Sequence, residues 1–204
     1  MMAWPLAAAV ESQCFEKIIV STDDPDIANI ARTHGAWVPF VRPAELADDH
    51  STTIAVIAHA IEWLRNNGHE PVEVCCLYAT APFVAVADLQ HGLQLLQSND
   101  CDYVFTVTAY PFPIQRALRQ TQNGRVEMFN PGNFNVRSQD LEPAFHDAAQ
   151  FYWGRAEAWL ASRPLFAAGS IPLLLPSHRV QDIDTVDDWK RAELMFNAMQ
   201  AGTN

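Results

Sequence analysis

The sequence predicts an α/β fold with a largely parallel sheet, and three observations carry that expectation. Short apolar, β-branched runs recur at residues 17–22, 72–78, 103–108 and 171–175. Stretches with helical apolar spacing separate them, and most runs discharge into turn or helix-opening residues. Hydrophobic residues make up 49% of the chain and charged residues 18%, the composition of a chain that packs a core. At 204 residues one domain spanning 1–204 is expected, near the upper end of single-core size.

The elements follow in order. The run KIIVST at 17–22 reads as a buried strand that meets Asp23-Asp24-Pro25, a helix-opening signal, and the next helix is expected over 26–34, stopping at Gly35. An extended piece at 36–41 leads into a loop at 42–50. Ser51, Thr52 and Thr53 are capping candidates for a helix over 54–66, whose Ile54, Ile57, Ala58, Ile61 and Leu64 fall at helical spacing. VEVCCLY at 72–78 is the most strand-like run and ends in the turn Ala79-Thr80-Ala81-Pro82-Phe83. Such a turn sits at a carboxyl end of the sheet, where open α/β folds bind ligands.

A helix over 86–97 and a strand over 103–108 complete a further unit. Residues 110–150 then change texture: Pro111, Pro113, Asn123-Gly124, Pro131-Gly132 and Pro143 punctuate short segments, which predicts hairpins and an excursion beyond the sheet. Regular structure resumes with a strand over 150–153, a helix near 155–162, a strand over 171–175 and a last helix from Thr185.

Composition also excludes classes. Thirteen Lys and Arg stand against 24 Asp and Glu, a formal charge of -11, which repels a nucleic-acid backbone. A phosphorylated ligand would need a divalent metal, or further basic residues, to offset that deficit. Cys14, Cys75, Cys76 and Cys101 lack zinc-ligand spacing and read as reduced core thiols. His34, His50, His59, His69, His91 and His178 are scattered without metal spacing. No membrane span, signal peptide or glycosylation sequon is found, so a cytoplasmic protein without a membrane partner is expected.

Three groupings could carry chemistry. Asp182 and Asp184, one residue apart, present both carboxylates on one face of an extended segment, a site for a hard cation such as Mg²⁺. Equally, Asp184 and Thr185 could open the last helix, with Asp188 completing a capping box. Arg42 is a cation fixed before Pro43, able to reach a nucleotide or to pair with Glu45 or Asp48. The turn Thr80-Ala81-Pro82 could offer N–H groups to the same ligand. Arg137, Gln139, Gln150 and Tyr152, with His146-Asp147 nearby, mix charge, amides and rings as a sugar acid requires, although an exposed arginine beside a packed aromatic strand explains them as well.

Together the segments MMAWPLAAA (1–9), IIVSTDD (18–24), RPAELADDHSTT (42–53), LYATAPF (77–83), RSQDL (137–141), HDAAQFYWG (146–154) and QDIDTVDDW (181–189) resemble the acylneuraminate cytidylyltransferase family. PFPIQRAL (111–118) points toward its pseudaminic acid branch. The resemblance implies a three-layer α/β/α nucleotidyltransferase fold, with the excursion used in sugar binding or homodimer formation. It implies transfer of CMP from CTP to a nine-carbon 2-keto sugar acid, pseudaminic acid, with release of pyrophosphate for surface glycan or flagellin decoration. It also assigns roles: Asp182 and Asp184 as catalytic Mg²⁺ ligands, Arg42, Thr80, Ala81 and Pro82 at the nucleotide, and Arg137, Gln139, Gln150 and Tyr152 at the sugar acid. Other sugar acids (N-acetylneuraminic, legionaminic, 3-deoxy-octulosonic) and a non-catalytic sugar-binding remnant are the competing readings.

One departure accompanies the match. Family members open with a buried strand and a Gly-rich basic loop that cradles the CTP phosphates, and this sequence opens instead at what reads as the first helix, Met1-Met2-Ala3-Trp4-Pro5. The expectation is an N-terminally incomplete domain, from a start codon placed too far downstream or a real truncation, with weak or absent turnover.

Overall fold

Local chemistry sets the helix starts. A computed structural model describes residues 1–48 and 50–201, with side chains through Met199. Its helices are α1 (Ala3–Ser12), α2 (Pro25–Thr33), α3 (Thr53–Asn66), α4 (Val86–Ser98), α5 (Ala156–Leu160) and α6 (Val186–Ala201). Ahead of α2, the Asp24 carboxylate accepts from the N–H groups of Asp26 and Ile27, and Pro25 takes the first helical position, where a missing N–H costs nothing. Gly35, at φ 83°, takes the left-handed turn after it. Thr52 caps α3 by accepting from the N–H of Ala55.

The strands are β1 (Glu73–Leu77), β2 (Tyr103–Ala109), β3 (Leu118–Gln120), β4 (Val126–Met128), β5 (Phe145–Arg155) and β6 (Ser170–Leu174). A four-stranded sheet has the order β1-β5-β2-β6. β5 is antiparallel to both β1 and β2, while β2 and β6 are parallel. Three of the four strands therefore run one way, as expected, and β5 is reversed between them. The reversal follows from how β5 is reached, by the proline-punctuated excursion rather than by a helical crossover.

Helices cover both faces. On one side Leu89, Leu96, Phe151 and Trp153 form a buried cluster with α4; on the other, Ile57, Ile61, Tyr103, Tyr152 and Trp159 pack under α3 and α5. Each fully buried Leu, Ile or Phe contributes about 1.5–3 kcal/mol through the hydrophobic effect, so these layers dominate stability. Trp153 and Trp159 also donate their indole N–H groups to the carbonyls of Leu89 and Val74, which joins sheet to helix on one side and strand to helix on the other.

Two expectations change. Residues 17–22 were expected to be a buried strand, yet the structure gives them one parallel bridge, Ile19 to Trp37, and leaves residues 18–21 half-buried. Their other edge and the outer edge of β1 both border a cleft of about 960 Å³, so neither is sealed by a neighbouring strand. The excursion also ends sooner than residue 150, because β5 starts at Phe145 and draws 145–149 into the sheet. Its hairpin, β3 against β4 around Asn123-Gly124 with Gly124 at φ 79°, forms as the turn residues predict.

Candidate active site

The carboxyl ends of β1 and β2 and the first half of β5 converge on one group of polar side chains. β5 pairs with β2 in two registers, with a shift between Phe105 and Val107 that leaves residues 148–151 bulged. Ala149 within the bulge adopts φ 49°, and Asp147 stabilises it by accepting from the Ala149 N–H at 2.9 Å. The other Asp147 oxygen accepts from the hydroxyl of Tyr152. Tyr152 lies 5.3 Å, ring to ring, from Tyr78, whose hydroxyl meets Thr53 Oγ1 at 3.1 Å. Burial and then the Asp147 hydrogen bond push the Tyr152 phenol far upward, so it stays protonated at any physiological pH. A polar chain thus runs from the start of α3 beneath β1 to Asp147.

Asp182 and Asp184 complete the group from the segment between β6 and α6. Partial withdrawal from water, then the charge of Asp184, then those of Asp147 and Asp188, raise the Asp182 carboxyl. These carboxylates are therefore close enough to repel one another, a state that a bound cation relieves. The helix-cap reading holds too, through the expected Thr185 and Asp188. Thr185 Oγ1 accepts from the Asp188 N–H, and Asp188 Oδ2 accepts from the Thr185 N–H and hydroxyl. Capping α6 thus uses Thr185 and Asp188, and Asp182 and Asp184 are not consumed by it. The Asp182 carboxylate accepts only the N–H of Ile183 among the described hydrogen bonds.

The residues expected at the nucleotide lie together in part. Arg42 and Thr80 border the same cleft. Arg42 does not pair with Glu45 or Asp48; its guanidinium donates to Ser21 Oγ at 3.1 Å and to the Ser21 carbonyl. Ala81 is 3% exposed and closes the turn through its N–H to the Tyr78 carbonyl, so within Thr80-Ala81-Pro82 it is Thr80 that presents an exposed side chain.

At the proposed sugar side, Arg137 and Gln139 lie on an exposed single turn, and Arg137 grips Asp140 with two nitrogens at 2.8 and 3.1 Å. Gln150 and Tyr152 are 3% and 2% exposed. The Gln150 amide donates to the Arg179 carbonyl at 2.6 Å, and Arg179 in turn pairs with Asp88 at 2.7 Å. Both side chains therefore act on the site from behind it. Sequence reasoning gave Asp147 no role of its own, because its place depends on a bulge that no residue pattern announces.

A metal fits this arrangement as a shared ligand. Among the described residues no cluster of three or more His, Cys, Asp or Glu side chains is placed to hold a cation, whereas Mg²⁺ takes one or two carboxylates and completes its shell with phosphate oxygens and water. Asp182 and Asp184 supply that number, and their mutual repulsion favours it.

A covered sheet with a carboxylate pair at the carboxyl ends of its strands is the arrangement of a nucleotidyltransferase, and comparison with known proteins agrees. The chain belongs to the cytidylyltransferase family, whose model matches residues 1–163. It is 36% identical over 196 residues to the pseudaminic acid cytidylyltransferase of Campylobacter jejuni, covering 96% of this chain and 84% of that one. It is 26% identical to the CMP-N,N'-diacetyllegionaminic acid synthase of Legionella pneumophila, covering 98% of this chain and 86% of the relative. The fold is similar to that of a CMP:2-keto-3-deoxy-manno-octonic acid synthetase solved with CTP, at TM-score 0.65 and 12% identity over 97% of this chain and 88% of that one.

Proposed function

We propose that the chain transfers CMP from CTP to pseudaminic acid, a nine-carbon 2-keto sugar acid, and releases pyrophosphate. The observation that carries this reading is the Asp182–Asp184 pair, whose carboxylates are left out of the helix cap, with the Asp182 carboxyl raised by partial burial and then by the charge of Asp184. The 36% identity to pseudaminic acid cytidylyltransferase supports the choice of acid.

In this reaction the anomeric hydroxyl oxygen of the acid attacks the α-phosphorus, the bond from phosphorus to the pyrophosphate oxygen breaks, and the hydroxyl proton leaves. Mg²⁺ held by Asp182 and Asp184 would screen the phosphate charge and ease departure of pyrophosphate. Arg42, fixed by Ser21, and Thr80 bind the nucleotide. Arg137 and Gln139 contact the sugar acid, with Asp140 yielding Arg137 to the carboxylate. Tyr152 and Gln150 hold Asp147 and the 179–182 segment in position. Lys17 and Arg42 are the cationic Lys and Arg side chains along the cleft, few for a triphosphate, so turnover is slow and is best read with enzyme in excess. The protein acts in the cytoplasm, where CTP is found.

The excursion supports a homodimer. Phe112, Leu118, Val126, Phe129 and Phe134 are all exposed there, more apolar surface than an isolated hairpin needs to show water. Product analysis by mass spectrometry, with CTP, Mg²⁺ and a panel of sugar acids, tests the reading. A CMP adduct of pseudaminic acid in preference to the N-acetylneuraminic, legionaminic and octulosonic acids is expected, and preference for another acid reassigns the substrate.

A further inference from the structure

Asp182 and Asp184 stand outside the sheet, on the segment between the end of β6 and the start of α6. Apart from bonds to α6, residues 176–185 reach the rest of the fold, among the described hydrogen bonds, at Arg179 alone, and Arg179 is held at two points. Its carbonyl accepts from the Gln150 amide at 2.6 Å, and its guanidinium meets the two Asp88 oxygens at 2.7 and 3.5 Å. The side chains of this pair are 21% and 16% exposed, so water and salt screen it less than a pair on the open surface.

Both anchors are rigid. Asp88 lies in the first turn of α4, beside the fully buried Leu89 whose carbonyl accepts from the Trp153 indole. Gln150 stands in the bulge of β5, buried, and its Oε1 makes no hydrogen bond. A buried acceptor left without a donor costs stability, and a methionine of similar length would pack there without that cost. What the Gln150 side chain adds is its bond to Arg179. The neighbouring charges that raise Asp182 are those of Asp184, Asp147 and Asp188, so Arg179 acts on Asp182 by holding the chain and not by its own charge.

We propose that Asp88 and Arg179, with Gln150, are positioning residues that fasten the 179–184 segment to α4 and β5 and so set the Asp182 and Asp184 carboxylates for a divalent cation. Because α4 follows the turn that carries Thr80, the fastener also fixes these carboxylates relative to the nucleotide side of the site. Residues behind a metal ligand act by orienting it, and their loss weakens metal binding without removing a ligand. This inference rests on the reading of Asp182 and Asp184 as cation ligands.

Titration of the full chain with Mn²⁺ alone tests it, followed by paramagnetic broadening of the Ile183 and Thr185 amide resonances. Asp88→Asn, Arg179→Met and Gln150→Met should each raise the Mn²⁺ midpoint roughly tenfold, and Arg179→Lys should recover part of the loss. Gln150→Met should do so with a melting temperature no lower than that of the wild type, a split that a merely structural role does not give. Because the residues act through one connection, Asp88→Asn combined with Arg179→Met should be no worse than Arg179→Met alone. Wild-type midpoints in the folded variants, or losses that add in the double variant, would overturn the proposal, and Asp88→Asn decides the matter should Arg179→Met not fold. So would shifts confined to variants that also melt lower. CMP-sugar formation separates this inference from the reaction: shifted midpoints support the fastener even where the wild type makes no product, and unshifted midpoints sink it even where product forms. A wild type without broadening at Ile183 and Thr185 overturns the cation reading and the fastener together.

Discussion

Two carboxylates six residues apart, Asp182 and Asp188, are shifted in opposite directions. Asp188 is held below its ordinary value of 3.8 chiefly by the Thr185 hydroxyl, so its contribution to stability is present above 3.8 and is lost as pH falls through its lower folded value. Asp182 is raised above 3.8, first by partial burial and then by Asp184, so its contribution has the other sign: full below 3.8 and lost as pH rises through the raised value. In chelator at pH 7, Asp188→Ala should therefore lower the melting temperature and Asp182→Asn should raise it. The Asp188→Ala deficit should close in acid, which thermal denaturation across pH checks. A stabilising Asp182→Asn substitution would mark Asp182 as a residue kept for function rather than fold. Both the cap and the pair were legible in the spacing of 182–188, though not which residues served which purpose. Asp147 was not legible, because its importance arises from Ala149 at φ 49° and from a register shift against β2.

At the scale of elements, β5 organises the site, and glycine lets a helix reach it. A Cβ on Gly92 would stand 2.7 Å from Trp153 Cδ1 and 3.0 Å from Phe151 Cε2, so α4 approaches the sheet only because this position has no side chain. Gly92→Ala should destabilise the protein by about 1–3 kcal/mol through overpacking, despite the better helix propensity of alanine; urea denaturation measures it. The sequence signalled most helices well, since caps such as Asp24 and Thr52 act through neighbouring backbone. Strands were less legible. The run at 17–22 has the composition of a buried strand, but a strand is completed by partners distant in sequence, and this one has a cleft along one edge. The reversed direction of β5 was hidden for the same reason.

At the scale of the molecule, apolar patterning was enough to predict the layered α/β fold, and the motif resemblance was enough to predict the family. Assembly is a surface property that patterning does not settle. If the excursion forms the homodimer contact, Phe134→Glu should convert the dimer to monomer in light scattering with little change in melting temperature of the monomeric unit. An unchanged mass would move the contact elsewhere. The central claim, that Asp182 and Asp184 form the metal half of a CMP-transfer site, meets its most direct test in one assay. Enzyme in excess is mixed with CTP and pseudaminic acid, and CMP-sugar is followed by mass spectrometry for the wild type and for Asp182→Asn. The account predicts a product that needs Mg²⁺ and falls on the order of a hundredfold in the variant. Product formed equally by the variant, or equally in chelator, would contradict it.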